Sequence, residues 1–408
     1  MVRVPSAFKP LMSSRCLAFL AACAIGLCPG QPRAEALGRA ITLDDPSGHA
    51  LDQLHAALRA ARDGTGRARL TFYGDSHTSE DLYTGPLRHS LQRRFGDGGP
   101  GLVMPVHPFP CHDHSDVVIS HEGPWSTVVV KGRHRPRDAY GPAGYAVESR
   151  AKAWGRVDLR ANATKGSATV STEVLSLDQP GGGHLEVLVD GRRASRLSTV
   201  AKTRQLGARR VEGASRRIEV RAEGDGPVRL FGLSLERDGP GVVVDALGIP
   251  GAKAREQLVW DEAVQRAALD RLAPDLVVLE YGTNESGGDL QAMPRYEQDL
   301  SAVVQRLRRL RPSASCLLVG PSEWPVRRAN GTYGPRARTS EITEVQRRVA
   351  QAQGCAFFDT LAFMGGPGAM VQWVGHDPPL ALTDHVHFTD EGYRRLALAL
   401  ESALLQGF

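Results

Sequence analysis

Cysteine is scarce in this sequence, at six among 408 residues, and three of the six fall within the first 28. The other three, Cys111, Cys316 and Cys355, have no spacing that suits a zinc site. Strong charge of either sign is also missing. The formal net charge is +5, and Arg3, Lys9, Arg15 and Arg33 against Glu35 supply three of those charges. The remainder is close to neutral and makes no case for nucleic acid as a partner. Long apolar runs are lacking too: "CLAFLAACAIGLC" at 16–28 is the longest, and it is short for spanning a bilayer.

That run has basic residues before it and "AEA" at 34–36 after it, small residues at the two positions a signal peptidase reads. Residues 1–36 are therefore expected to be a secretory signal, with a periplasmic or secreted product. A competing reading takes Leu20–Ala21–Ala22–Cys23 as a bacterial lipobox, which would leave Cys23 as a lipid anchor. Cys316 and Cys355 each open an apolar run, "CLLVG" and "CAFFD". If those runs are neighbouring strands, an export-compartment disulfide forms; otherwise both are buried thiols.

Hydrophobic content of 41% with 23% charged residues describes a globular chain, and the length suggests two or three domains. "GHALDQLHAALRAARDG" has helical spacing, with Leu51, Leu54, Ala57 and Leu58 on one face and Gly64 as a stop. "RLTFYG", "VVVDALG", "DLVVLEYG", "SCLLVGP" and "CAFFDT" are short apolar runs, each followed by a helical pattern. Strands of this kind separated by amphipathic helices predict a three-layer α/β fold around a parallel sheet. Between them, residues 111–240 change character. "STVVVKG", "RVDLRA", "HLEVLVDG" and "RRIEVRAEG" alternate apolar with polar and end in glycine turns, which predicts an antiparallel β-sandwich. The α/β unit would then fold from two segments, 37–110 and 241–408, with the sandwich inserted between them.

Ligands of an open parallel sheet bind beyond the carboxyl ends of its strands. Those ends carry Ser76 in "GDSH", Gly251 in "GIPG" and Asn284 in "GTNE", with "DHVH" (384–387) before the last helix. A serine hydroxyl needs a base to take its proton, and His387 is the candidate, oriented by Asp384 three residues earlier. The Ser76 and Gly251 N–H groups and the Asn284 amide are available to the oxyanion that attack would create. Glycine at 251 admits a close backbone approach. His385 lies one residue from the preferred spacing. Asp75 reads as a turn-stabilising acceptor, Glu280 and Tyr281 as packing, and "PCHDH" (110–114) as a solvated loop bordering the cleft with no metal. Trp125 and Trp154 could stack on sugars or fill the core.

The four blocks resemble, in order and approximate spacing, those of the SGNH (GDSL-like) hydrolases. That resemblance implies a flavodoxin-like sheet and a cofactor-free serine esterase. It implies Ser76 as nucleophile, Asp384 and His387 completing the triad, and Ser76, Gly251 and Asn284 as the oxyanion hole. Two positions depart from the common motif: His77 stands for leucine and Glu285 for aspartate. Together with "RFGDGGPGLVMP" and "GGPGAMVQW" they are similar to the branch containing bacterial peptidoglycan O-acetylesterases, which also carry a β-sandwich after the first block. The expected substrate is an O-acetylated envelope polysaccharide, with peptidoglycan leading. The rival readings are a polysaccharide O-acetyltransferase using the same triad and a non-catalytic glycan-binding protein.

Overall fold

Five of the apolar runs become a parallel sheet in the computed structural model, which describes residue 38 and residues 41–131, 136–160, 169–288 and 291–408. The expected signal segment and Cys23 lie outside the described residues. The strands are β1 (Arg67–Gly74), β2 (Gly241–Gly248), β3 (Leu276–Glu280), β4 (Ser315–Val319) and β5 (Ala356–Phe358). Their order in space is β2-β1-β3-β4-β5, the flavodoxin-like arrangement, whose ligand crevice opens where β1 sends its neighbours to opposite sides. Register then decides where the chemistry falls. Gly74 is level with Gly248 on one side and with Glu280 on the other, so the loops after all three strands emerge at one edge.

Among the described residues ten α-helices connect or flank the sheet: α1 (Asp52–Arg62), α2 (Ser76–Ser79), α3 (Thr84–Phe95), α4 (Glu262–Leu272), α5 (Thr283–Gly288), α6 (Met293–Leu310), α7 (Ala337–Ala352), α8 (Thr360–Met364), α9 (Ala369–Val374) and α10 (Asp390–Leu404). Alternate residues of each strand face opposite layers. Leu70, Phe72, Val244, Val278 and Leu317 pack with Leu54 and Leu58 of α1, Leu87 and Leu91 of α3, and Leu396 and Leu400 of α10. Tyr73, Leu247, Val277, Leu279 and Leu318 pack on the other side with Val264 of α4, Val303 of α6 and Val345 of α7. Because both faces are covered, strand residues are apolar without alternation, as the runs implied. Full burial of each such side chain is worth roughly 1.5–3 kcal/mol.

Among the described residues, two antiparallel sheets account for the middle of the chain. One runs Gln205–Ser215, Val170–Asp178, Val228–Glu236, Tyr145–Ser149, Ser126–Val129, and the other runs Val117–Glu122, Ala153–Leu159, Arg217–Ala222, His184–Val189, Arg192–Ser198. Their period-two burial appears in Val117–Glu122 and Ala153–Leu159, where inward residues alternate with exposed ones. The first sheet also takes in Gly101–Val103, paired antiparallel with Val228–Glu236. Antiparallel pairing thus begins before the expected boundary at 111; three residues between glycines and prolines are too few to display a period. The apolar core of these sheets is continuous with the α4–α6–α7 face of the parallel sheet.

Cys316 on β4 and Cys355 just before β5 lie on adjacent strands and form a disulfide with a Cα–Cα distance of 4.7 Å. Trp125 packs partly buried against the core and donates its indole N–H to the Trp154 carbonyl at 3.1 Å. No helix among the described residues is long and apolar enough to cross a membrane.

Candidate active site

The strand β1 ends at Gly74 because nothing larger fits there: a Cβ would come within 2.2 Å of the Thr78 hydroxyl. The chain then turns into α2, and the Asp75 carboxylate caps that short helix by accepting the His77 N–H at 3.0 Å. Ser76 is the first residue of α2, clear of the core and half-buried.

Its partner comes from the far end of the chain. His387 Nε2 lies 2.9 Å from Ser76 Oγ, and His387 Nδ1 lies 2.7 Å from Asp384 Oδ2. Asp384 also accepts the Val386 and His387 N–H groups, at 2.9 and 3.1 Å. Burial opposes ionisation of Asp384, but these bonds outweigh it and hold the carboxyl below its ordinary range. The loop is closed by Leu382 N–H donating to His387 O at 2.8 Å, and Thr389 caps α10 by accepting the Gly392 N–H. His385 is turned away: its ring stacks on Tyr333, centroids 3.8 Å apart, and its Nδ1 donates to Thr383 O at 2.9 Å.

Asn284 enters from the start of α5. Its amide donates to Asp75 Oδ2 at 2.9 Å and to Ala252 O at 3.2 Å, tying the loop after β3 to the loops after β1 and β2. Gly251, at φ +75°, occupies the third position of a turn closed by Ala252 N–H donating to Ile249 O at 2.9 Å. That turn is itself braced on β1, since Ile249 N–H donates to Gly74 O at 3.0 Å. The five residues singled out from sequence therefore sit on two loops and two helix starts at one edge of the sheet. Ser76, His387 and Asp384 are joined in one chain of hydrogen bonds, and Asn284 is joined to the turn that carries Gly251.

Beneath them is a buried polar layer that sequence reasoning assigned to packing or to subfamily marks. His77 is buried, with Nδ1 2.8 Å from the Tyr393 hydroxyl and Nε2 2.9 Å from Ser322 Oγ. Burial, aided by the nearby His387 charge, pushes its imidazole down to about 3, so it stays neutral behind the catalytic edge. Asp75 and Glu280 are both buried, and burial raises both carboxyls; the nearby Asp75 raises Glu280 further, against the Thr78 Oγ1 bond of 2.9 Å, whereas the His77 N–H, the His387 charge and the Asn284 amide hold Asp75 back. Glu285 bridges two loops by accepting Ala254 N–H at 2.9 Å and Gly282 N–H at 3.1 Å. Burial moves its carboxyl up to about 7 despite those bonds. The longer side chain at 285 reaches both amides. Apart from the Gly282–Glu285 bond within one block, these links join separate segments of the chain, so nothing local in the sequence signals them.

The "PCHDH" stretch is solvated only in part: Pro110, Cys111 and Asp113 are exposed, as expected, and the two histidines are not. His112 and His114 are buried; His114 Nδ1 accepts the Asp116 N–H at 3.2 Å, and its Nε2 donates to Pro100 O at 3.3 Å. They belong to a buried junction where Arg88 joins Asp81 and Asp116, at 2.6 and 2.7 Å. Arg88 is paired with its two acids and both ring nitrogens of His114 are hydrogen-bonded, which offsets their burial, whereas His112 Nδ1 is buried without a hydrogen-bond partner among the described residues.

Residues 211–395 match the model of the GDSL-like Lipase/Acylhydrolase family. The match starts inside the antiparallel region, so Ser76 lies outside it while Gly251, Asn284, Asp384 and His387 lie inside. Among solved structures the chain is similar to a peptidoglycan O-acetylesterase, at 26% identity and TM-score 0.74, covering 89% of this chain and 98% of that one. Further likenesses are to an acetyl xylan esterase (21% identity, 40% and 80% coverage, TM-score 0.29) and to a family two carbohydrate esterase from Clostridium thermocellum in complex with cellohexaose (11%, 64% and 94%, TM-score 0.30). No curated protein matches.

Proposed function

Because this chain belongs to the SGNH (GDSL-like) hydrolases and is a serine esterase of that superfamily, we propose that it removes O-acetyl groups from a cell-envelope polysaccharide, with peptidoglycan the leading substrate, after export from the cytoplasm. The observation that carries the reading is the unbroken chain Ser76 Oγ, His387 and Asp384, at 2.9 and 2.7 Å. It supplies a nucleophile, a base and an orienting carboxylate in hydrogen-bond contact before any substrate binds.

Ser76 Oγ attacks the acetyl carbonyl carbon while His387 Nε2 takes the hydroxyl proton. The negative charge moves to the carbonyl oxygen, where the Ser76 and Gly251 N–H groups and the Asn284 amide meet it. Of the two Asn284 bonds, the one to Ala252 O is the longer, at 3.2 Å, and that hydrogen is the one an oxyanion would claim. Collapse of the tetrahedral adduct breaks the bond to the sugar oxygen, which leaves with the proton held by His387. Water then attacks the acetyl-serine, giving its proton to His387, and acetate departs as Ser76 Oγ recovers it. Asp384 fixes the His387 tautomer throughout and stabilises the imidazolium.

Three things support the substrate class. The likeness to a peptidoglycan O-acetylesterase spans nearly all of that chain. The side chains of His387 and Asp384 are 34% and 46% exposed, an open edge that suits a small substituent projecting from a polymer rather than an enclosed metabolite. The Cys316–Cys355 disulfide accords with an oxidising compartment.

The test measures acetate release from O-acetylated peptidoglycan, acetylated xylan and an aryl acetate, by the wild type and Ser76→Ala. The expected result is release that depends on Ser76 and is fastest on peptidoglycan. Release that survives in Ser76→Ala removes the mechanism, and a strong preference for xylan removes the substrate.

A further inference from the structure

The turn that carries Gly251 has Pro250 at its second position and Gly251, at φ +75°, at its third, closed by the Ala252 N–H to Ile249 O bond of 2.9 Å. Proline second and a positive-φ glycine third are the marks of a type II turn. Type I and type II turns differ by a half-rotation of the central peptide, here Pro250–Gly251. Whichever side receives the Gly251 N–H in one form receives the Pro250 carbonyl oxygen in the other. Glycine tolerates both forms, so its own sterics do not choose between them.

Lys131 bears on that choice. Its ammonium donates to Pro250 O at 2.6 Å, and a Cβ placed on Gly251 would fall 2.8 Å from the same nitrogen. The residue comes from the antiparallel region, directly after Val130. Val130 is buried, and its N–H donates to Gly144 O at 3.2 Å, so the backbone that presents Lys131 is anchored.

A peptide's carbonyl and N–H point in opposite directions across one rigid plane. Holding Pro250 O outward therefore holds the Gly251 N–H to the opposite side. A cationic donor on the carbonyl also polarises the peptide, which strengthens its N–H as a donor. Resting on the proposed role of the Gly251 N–H as an oxyanion donor, we infer that Lys131 is a positioning residue for the oxyanion hole. By gripping Pro250 O, the inserted β-region selects the turn orientation that aims the Gly251 N–H at the developing charge.

Loss of an oxyanion donor outright costs about 10²–10³ in kcat. Lys131 is exposed and water can replace part of its bond, so a smaller loss is expected. With a neutral aryl acetate, Lys131→Met should lower kcat about tenfold with KM within about twofold, and Lys131→Arg, which keeps a charged donor, should restore most of it. Crystal structures of wild type and Lys131→Met should show the Pro250–Gly251 peptide held in one orientation in the first and rotated or divided between two in the second. An unchanged kcat in Lys131→Met, or a loss confined to KM, overturns the inference. If the wild type releases no acetate from any ester, the esterase reading fails by itself. The Lys131 claim is then decided by the two crystal structures, and an identical peptide orientation in both overturns it.

Discussion

The two sides of the reaction centre are built in opposite ways. Asp384 and His387 occupy an exposed loop whose order comes from its own short-range bonds, Asp384 with the Val386 and His387 amides and Leu382 with the His387 carbonyl. Asp75, Glu280 and Glu285 are buried, and their bonds reach across separate segments, some two hundred residues apart, as from Asn284 to Asp75 and from Thr78 to Glu280, and one 31 apart, from Ala254 to Glu285. In the proposed reaction the exposed side moves protons and must meet a polymer. The buried side holds dipoles still, which requires a site that water does not rearrange. Changes on the first side should therefore remove activity and leave the fold, whereas changes on the second should lower both together.

The sharpest separation should come from Ser76→Ala or His387→Ala. Each is expected to reduce kcat by roughly 10⁴–10⁶ with the melting temperature within a degree or two of wild type, read from kinetics and calorimetry on the same samples. Asn284→Ala should come next, lowering kcat by about 10²–10³. It should also cost about 1–3 kcal/mol of stability, because the buried Asp75 oxygen loses its partner; equal melting temperatures for this variant and wild type would break the comparison.

Glu285→Gln should have a smaller effect on turnover, about tenfold, as a slight displacement of the Gly251 loop would produce. Its signature lies in pH. The Glu285 carboxyl has an ordinary value of 4.5 and is raised to about 7 in the fold, so the folded state holds more protons than the unfolded one between those values. Stability from this group is complete below about 4.5 and is lost as pH rises through about 7. Urea midpoints of the wild type should fall across that window and those of Glu285→Gln should fall less. Smallest for activity is Cys316→Ser with Cys355→Ser. Releasing a crosslink between residues 39 apart should cost about 3–4 kcal/mol of stability, with kcat per folded molecule unchanged.

Much of the exposed side was legible in the sequence, and the reason is locality. A strand that ends in Gly-Asp-Ser and a loop with Asp384 three residues before His387 carry their geometry in spacing, and the α/β fold class followed from apolar runs that both faces of the sheet require. The roles of Asp75, His77 and Glu285 were not legible to the same depth. Asp75 was identified as a turn acceptor, which its bond to the His77 amide makes it, but its hold on Asn284 joins two blocks and leaves no mark in either. Lys131 drew no notice for the same reason: it ends an ordinary alternating strand, and only the fold brings it to Pro250. The burial of His112 and His114 runs against their polarity, because only the fold brings His114 to Pro100 O and lays His112 edge-on against Tyr145.

One feature of the parallel sheet governs how the molecule comes into being. β1 is an interior strand, and both of its neighbours, Gly241–Gly248 and Leu276–Glu280, follow the whole antiparallel region in the chain. Closing so large a loop early is entropically costly, and contacts of such long range are slow to form. The segment bearing Ser76 therefore has no strand partner until the chain is past residue 248 and lacks its second until past 280, and its base arrives only just before the last helix. A ribosome-bound chain carries the nucleophile without the machinery to use it, so hydrolytic competence is the last property the chain acquires.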